Sequence, residues 1–274
     1  MLTFWNGKIC NLDKVQINPY DIGFLRGYGV FDVMCTQNGK PFLLDAHWKR
    51  FQNSAKELKL QIPVTKEEYE KIIQKLLASN GFKKSNIRTV LSGGISCDAF
   101  SCDGKETFLI LVEKFKPLPV EVYEKGAGVI TVEHNRHIPR AKITNYVEAI
   151  RNQDAKKKKK ALEIIFTKNG EALEASTSNF FVVKNNVLAT TRDGVLLGTT
   201  RNLVVDLARK NKFKVEERKI SEKELREADE VFLTATNKDV VPIVKIDGKK
   251  IGNGKIGKNT KILMEIFQGF VKNY

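Results

Sequence analysis

The chain has 274 residues, 42% apolar and 29% charged, which excludes a disordered or fibrous polymer and leaves room for one large domain or two ordinary ones. No apolar run approaches the ~20 residues that span a bilayer, so no membrane is expected as a partner. A net charge of +15 raises nucleic acid as a partner, but the lysines are spread along the chain.

The densest basic run, Lys156 to Lys160, has no interleaved aromatic residues, and neither a zinc-finger nor an RNA-recognition signature appears. No nucleic acid is therefore expected as a partner. The N-terminus lacks a charged region followed by an apolar core, so no signal peptide is expected. Cys10, Cys35, Cys97 and Cys102 are scattered, which fits a reducing cytoplasm better than a disulfide scaffold.

In chain order, residues 2–10 and 30–44 read as strands, the second running into the hairpin signal Asn38-Gly39. From Asp45 the apolar residues Trp48, Phe51, Ala55 and Leu58 recur at helical spacing. Thr65 with Glu68 forms a capping box for a second helix, which Asn80-Gly81 ends. Strands follow over Asn86–Ser92 and Thr107–Lys114. The loop between them carries Gly, Ser, Asp and two Cys, at a length that favours function over filler. Phe115-Lys116-Pro117-Leu118-Pro119 reads as a linker.

The second half opens with a strand at Val129–His134, then a helix from about Val147 to Lys160. Strands are expected at Leu162–Thr167, Asn179–Lys184, Val187–Thr191 and Val231–Thr234, and helices at Thr200–Asn211, Glu222–Ala228 and Lys258–Val271. Strands and helices mix without strict alternation, which argues an α+β fold in two lobes. The expected division is an N-terminal α/β domain over 1–115, a linker over 116–122 and a C-terminal domain over 123–274.

Two stretches carry the chemistry. Ala141-Lys142-Ile143-Thr144-Asn145-Tyr146 offers one amine amid apolar and small polar neighbours. Asn169 to Phe181 offers a carboxylate, Glu174, just before a Ser/Thr/Asn cluster. An amine that bonds to an aldehyde and a carboxylate that holds a pyridinium nitrogen are what a pyridoxal 5'-phosphate (PLP) site requires. Glu171 competes with Glu174 but sits beside the Asn169-Gly170 turn, where exposure is expected. Gly198-Thr199-Thr200-Arg201 opens a helix, and N–H groups at a helix N-terminus bind an anion. His47, His134 and His137 lack partners at metal-ligand spacing, so no metal is expected, and His47 reads as a helix-surface residue. No Gly-x-Ser-x-Gly elbow or Walker loop is present.

Taken in order, Arg-Gly-x-Gly-Val-Phe near residue 30, His-x-x-Arg near 50, Lys-x-x-Asn-Tyr, Glu-x-x-x-Ser-Asn-x-Phe, Gly-Thr-Thr-Arg and Phe-Leu-Thr-x-Thr resemble the class IV aminotransferases across nearly the whole chain. That fold-type IV PLP family includes D-amino acid aminotransferases, branched-chain aminotransferases and aminodeoxychorismate lyases. The resemblance implies two α/β lobes with the cofactor between them, the C-terminal one binding PLP, and a homodimer with its active site at the interface. It implies that Lys142 is the catalytic residue that holds the cofactor and shuttles the α-proton. Glu174 would pair with the ring nitrogen and Tyr146 with the ring hydroxyl. Arg50, Thr199, Thr200 and Thr236 would grip the phosphate.

The substrates implied are an amino acid and a 2-oxo acid, whose carboxylates arginine binds bidentately. Arg26 and Arg88 are the candidates, with Phe31 in the pocket where a tyrosine is often found. The D-amino acid branch commonly carries Arg-x-His just after the Arg88 strand, where this chain has Ser92-Gly93-Gly94. The branched-chain branch carries Tyr-x-Arg-Pro, of which Asn86-Ile87-Arg88-Thr89 keeps only the arginine. D-amino acids are the favoured substrates, because two arginines suit a dicarboxylate partner and the Arg26-Gly27-Tyr28-Gly29 turn is unlike the branched-chain pattern. A branched-chain L-amino acid aminotransferase is next, and an aminodeoxychorismate lyase after it.

Overall fold

The computed structural model describes all residues, 1–274, and divides them into two compact units. The first holds Met1–Lys116 and Ala141–Asn145; the second holds Pro117–Arg140 and Tyr146–Tyr274. The chain changes unit between Lys116 and Pro117, and it returns five residues, Lys142 among them, to the first unit. No helix is long and apolar enough to cross a membrane.

The first unit comprises β1 (Leu2–Trp5), β2 (Lys8–Asn11), α1 (Ile22–Arg26), β3 (Gly29–Gln37), β4 (Lys40–Pro41), α2 (Leu44–Glu57), α3 (Lys66–Asn80), β5 (Ser85–Ser92) and β6 (Thr107–Lys114). Its sheet runs β2-β1-β6-β5-β3-β4. Asn38 and Gly39, at φ 50° and 78°, make the β3–β4 turn, which needs left-handed backbone at both positions. The Thr65–Glu68 capping box starts α3, and Gly81 at φ 64° ends it. Trp48, Phe51, Tyr69, Ile73 and Leu76 of the two helices are buried. β5 alternates along its length, with Ile87, Thr89 and Leu91 buried and Asn86, Arg88 and Val90 half-exposed.

The second unit comprises α4 (Val120–Lys125), β7 (Ala127–Glu133), α5 (Val147–Arg151), α6 (Gln153–Lys158), β8 (Glu163–Lys168), β9 (Glu171–Ala175), β10 (Asn179–Lys184), β11 (Val187–Thr190), α7 (Thr199–Lys210), β12 (Lys214–Glu217), β13 (Ile220–Ser221), α8 (Glu222–Arg226), β14 (Glu230–Ala235), β15 (Asp239–Ile246), β16 (Lys249–Lys250) and α9 (Lys258–Lys272). Its sheet runs β12-β11-β10-β14-β15-β7-β8-β9-β13, with β16 paired to β15. The parallel β7–β8 pair is joined by α5 and α6, and antiparallel hairpins supply most of the rest. The core gathers Val129, Ile165, Phe180, Val182, Val231, Leu233 and Ile243.

The single helix expected over 147–160 is broken at Asn152. Its side-chain amide donates to Glu148 O at 2.9 Å, competing with the backbone for that carbonyl. β15 was outside the sequence reading, since Pro242 interrupts its apolar run.

Candidate active site

In the first unit, the register of β3 on β5 puts Phe31 opposite Val90 and Val33 opposite Arg88. These four side chains share one sheet face, because side chains alternate along a strand. The Lys142 segment is laid against β3 by its backbone. Phe31 N donates to Lys142 O and Thr144 N to Gly29 O, both at 2.9 Å. Lys142 N donates to Ser54 Oγ at 3.0 Å, and Ser54 Oγ donates in turn to Arg50 O. Lys142 Nζ stands 4.5 Å from the centre of the Phe31 ring, on the face that carries Arg88.

Asp32, one residue on, faces the opposite way, into α2. Arg50 Nε and Nη2 donate to its two oxygens at 2.7 and 2.8 Å, and His47 Nδ1 lies 2.6 Å from Oδ1. Burial opposes the charge on Asp32, but Arg50 and His47 outweigh it and hold the carboxyl well below its usual range. Burial, with Arg50 and Lys142 adding to it, outweighs the pull of Asp32 and pushes the His47 imidazole below its usual range. His47 is thus a correction to the sequence reading: it is 1% exposed, not on the helix surface. It lies four residues before Phe51, on the inward face, where the strand carboxylate draws it in. Arg50, expected on a phosphate, is held in a bidentate pair with Asp32, a partner the sequence reading did not name.

The depressed Asp32 group makes a stability prediction. Its contribution is present above the ordinary aspartate pKa of ~4 and is lost as pH falls toward the folded value. Guanidinium unfolding between pH 7 and 3 is expected to show falling stability, and Asp32→Asn a flatter slope below about pH 4. An unchanged slope would remove Asp32 from the account.

In the second unit, Glu174 on β9 is buried, whereas Glu171 is half-exposed and pairs with Lys219 at 2.8 Å. The exposure expected of Glu171 beside its turn is what the structure shows. Glu174 Oε1 accepts from Leu196 N at 3.3 Å and lies 2.8 Å from Arg136 Nε. Arg136 Nη2 donates to Ser176 O at 2.8 Å, and its guanidinium carbon is 5.0 Å from the Tyr146 ring centre. Burial works against the charge on Arg136, and Glu174 and Tyr146 outweigh it.

Sequence reasoning missed Arg136. It stands in an irregular stretch between β7 and Lys142, and nothing in Asn135-Arg136-His137 marks it. Arg136→Leu is expected to lower stability by ~3 kcal/mol, because it strands a buried carboxylate; chemical denaturation of the protein without cofactor checks this.

Helix α7 presents its N-terminus nearby along the same hydrogen-bonded chain. Asn179 Nδ2 donates to Leu196 O at 2.8 Å and Asn179 Oδ1 accepts from Gly198 N at 3.1 Å, so one side chain fixes the turn that links Glu174's partner to the helix. A Cβ on Gly198 would fall 2.3 Å from Asn179 Oδ1, so only glycine fits. Thr199 and Thr200 are buried at the first two helical positions, where a helix directs its backbone N–H groups to acceptors outside itself. Arg201 is committed elsewhere, to Glu217 at 2.5 Å and Thr191 O at 2.9 Å. Thr236 follows β14, two residues before Lys238.

Arg88 and Arg26, the two arginines expected at the substrate, have different partners. Arg88 Nε lies 3.2 Å from Glu113, with both side chains about two-fifths exposed. Such a pair is worth ~0–1 kcal/mol, so a ligand carboxylate can compete for the guanidinium. Arg26, at the end of α1, donates to Leu25 O and stacks 4.5 Å from the Phe100 ring centre.

Within the second unit, a buried carboxylate with a cationic neighbour and a helix N-terminus with two threonines suit a ring nitrogen and a phosphate, and within the first, a lysine beside an aromatic ring suits an aldehyde, the three groups that PLP carries. The class defined is a PLP-dependent transferase of mixed α and β structure. The sequence model of the amino-transferase class IV family matches residues 29–246. A Methanocaldococcus jannaschii protein, provisionally named a branched-chain-amino-acid aminotransferase, is 32% identical over 98% of this chain and 96% of its own. D-alanine aminotransferase of Listeria monocytogenes is 30% identical over 96% and 93%. The T.th. branched-chain amino acid aminotransferase, solved with pyridoxamine 5'-phosphate, superposes with a TM-score of 0.91 at 27% identity, covering 99% of this chain and 94% of that one. The chain belongs to the class IV aminotransferases and is a PLP-dependent transaminase of amino and 2-oxo acids.

Proposed function

We propose that the protein transfers the amino group of a D-amino acid such as D-alanine or D-glutamate to a 2-oxo acid, with Arg26 and Arg88 receiving the carboxylates. The observation that carries this reading is the sheet face shared by Arg88, Phe31 and the Lys142 ammonium. The loop after β5 supports the choice of Arg26 and Arg88 by exclusion. Ser92 Oγ is bonded to both oxygens of Asp21, and a Cβ on Gly94, at φ +72°, would lie 1.7 Å from Lys105 O. That backbone has no room for an Arg-x-His pair, so the arginines come from the sheet and from α1. The D-alanine aminotransferase relative supports the choice of D-substrates.

Bound PLP supplies an electron sink for the carbanion formed at the substrate α-carbon. Lys142 holds the cofactor and moves the α-proton on its Nζ. Glu174 keeps the ring nitrogen protonated, with Arg136 orienting its carboxylate, and Tyr146 meets the ring hydroxyl. Thr199, Thr200, Thr236 and Arg50 serve the phosphate. Exposed Tyr20, Phe24 and Phe100 in the first unit support a homodimer, in which Arg26 serves the neighbouring subunit's site. The free cysteines support a cytoplasmic location.

The test is a half-reaction. The holoenzyme is mixed separately with D-alanine, D-glutamate, L-leucine and L-glutamate, and the visible absorbance of the bound cofactor is followed. Rapid loss with D-substrates alone is expected. Rapid loss with L-leucine and L-glutamate alone would overturn the D-specific reading and favour the branched-chain one, which the arginine kept at position 88 supports.

A further inference from the structure

Glu163, the first residue of β8, is 2% exposed, while Ile164, Ile165 and Phe166 after it are buried and apolar. A carboxylate at the head of such a strand needs a reason. Its oxygens collect every hydroxyl of the turn between β9 and β10: Ser176 Oγ, Thr177 Oγ1 at 2.7 Å and Ser178 Oγ at 3.0 Å all donate to them. The turn is closed by Ala175 N donating to Ser178 O at 2.8 Å and tied to β8 by Ser176 N donating to Ile164 O. Lys238, from the turn between β14 and β15, completes the cluster. Its Nζ reaches Glu163 Oε2 at 2.5 Å, Thr177 Oγ1 at 2.6 Å and Ser178 Oγ at 3.3 Å. Lys238 O accepts from Tyr123 Oη at 3.0 Å and its N donates to Ala235 O at 3.1 Å, so its own backbone is fixed at both ends.

We propose that Glu163 and Lys238 are a positioning pair for the cofactor, locking the Ser176–Ser178 and Ala235–Lys238 turns to each other. The neighbours of those turns are the reason. Glu174 precedes the first turn, and Asn179, which fixes the approach to α7, follows it. Thr236 lies inside the second. One buried ion pair thus spans the supports of the ring-nitrogen partner and of two parts of the phosphate cup. A buried pair is a poor way to gain stability, because apolar residues of similar size stabilise as well without losing hydration. What it adds is direction: an acceptor for three hydroxyls and a cation that fits only one arrangement of them. Burial raises the Glu163 carboxyl, yet Lys238 and the hydroxyls bring it down to about 2, so the carboxylate is charged at pH 7. The inference rests on the roles proposed above for Glu174 and Thr236.

The experiment compares wild type with Glu163→Gln, Lys238→Met, Lys238→Arg and the double variant Glu163→Gln/Lys238→Met. Each is stripped of cofactor, its PLP dissociation constant is measured by absorbance titration, and the unfolding midpoint of the cofactor-free form is measured separately. Glu163→Gln and Lys238→Met are expected to weaken PLP binding by about tenfold or more, and Lys238→Arg to restore most of it. The double variant strands no charge, so its midpoint is expected to recover while its PLP affinity stays low. Recovery of both together would mean that the pair is only structural and would overturn the proposal, as would single variants that bind PLP like wild type. Failure of wild type itself to bind PLP is a separate outcome, which removes the underlying site reading and the positioning pair with it.

Discussion

Lys142→Ala is expected to lower transamination by ~10⁴-fold or more, since it removes both the covalent hold on the cofactor and the group that moves the α-proton. The fold is expected to survive. The bonds that lay this segment on β3 are made by backbone atoms: Lys142 O with Phe31 N, Lys142 N with Ser54 Oγ, and Thr144 N with Gly29 O. None of them needs the lysine side chain. The contact between the ammonium and the Phe31 ring is of the cation–π kind, worth ~0.5–1 kcal/mol where water reaches it. Measuring turnover and thermal unfolding on the same preparation separates the two effects. A variant that unfolds like wild type but retains a tenth of its activity would move the chemistry to another amine.

Glu174→Ala is expected to act on both stability and rate. Arg136 is buried against Glu174 and would be left with an unpaired charge, which costs ~3–5 kcal/mol. The rate is expected to fall by ~10²–10³-fold, the scale for losing one preorganised electrostatic partner of a reacting group. A second substitution separates the causes. Glu174→Ala/Arg136→Leu removes both charges, so stability should return most of the way while the rate stays low. If the rate returns as well, Glu174 matters only as the partner of Arg136, and the ring nitrogen must be held by another group.

Much of this site was legible because its residues stand in local contexts that physics constrains. Gly198-Thr199-Thr200 reads as a helix N-terminus, and α7 begins there, at Thr199. Glu174 was separable from Glu171 because Asn169 and Gly170, at φ 50° and 78°, form a turn that puts its neighbour at the hairpin end. The helices with the strongest signals, α2 and α3, begin and end within a residue or so of expectation. What was not legible depends on partners distant in sequence. His47 looks like a surface residue until Asp32 is seen opposite it across the α2–β3 packing. Arg136 has no periodic pattern around it, and its meaning comes from Glu174, Ser176 and Tyr146. Lys238 sits in an ordinary turn sequence, and only the fold brings it to Glu163. The grouping of Lys142 with the first unit also arises from pairing, the isolated bridge between Val30 and Ile143, which no local signal announces.

The central claim is that Lys142 carries the cofactor, and it can be tested directly. The purified yellow holoenzyme is treated with borohydride, digested, and its peptides sequenced by mass spectrometry. The account predicts that the colour is lost and that the pyridoxyl group is fixed on the peptide containing Ile143-Thr144-Asn145-Tyr146, at Lys142. The group on any other lysine, or no modified peptide from a protein that was yellow, would contradict it.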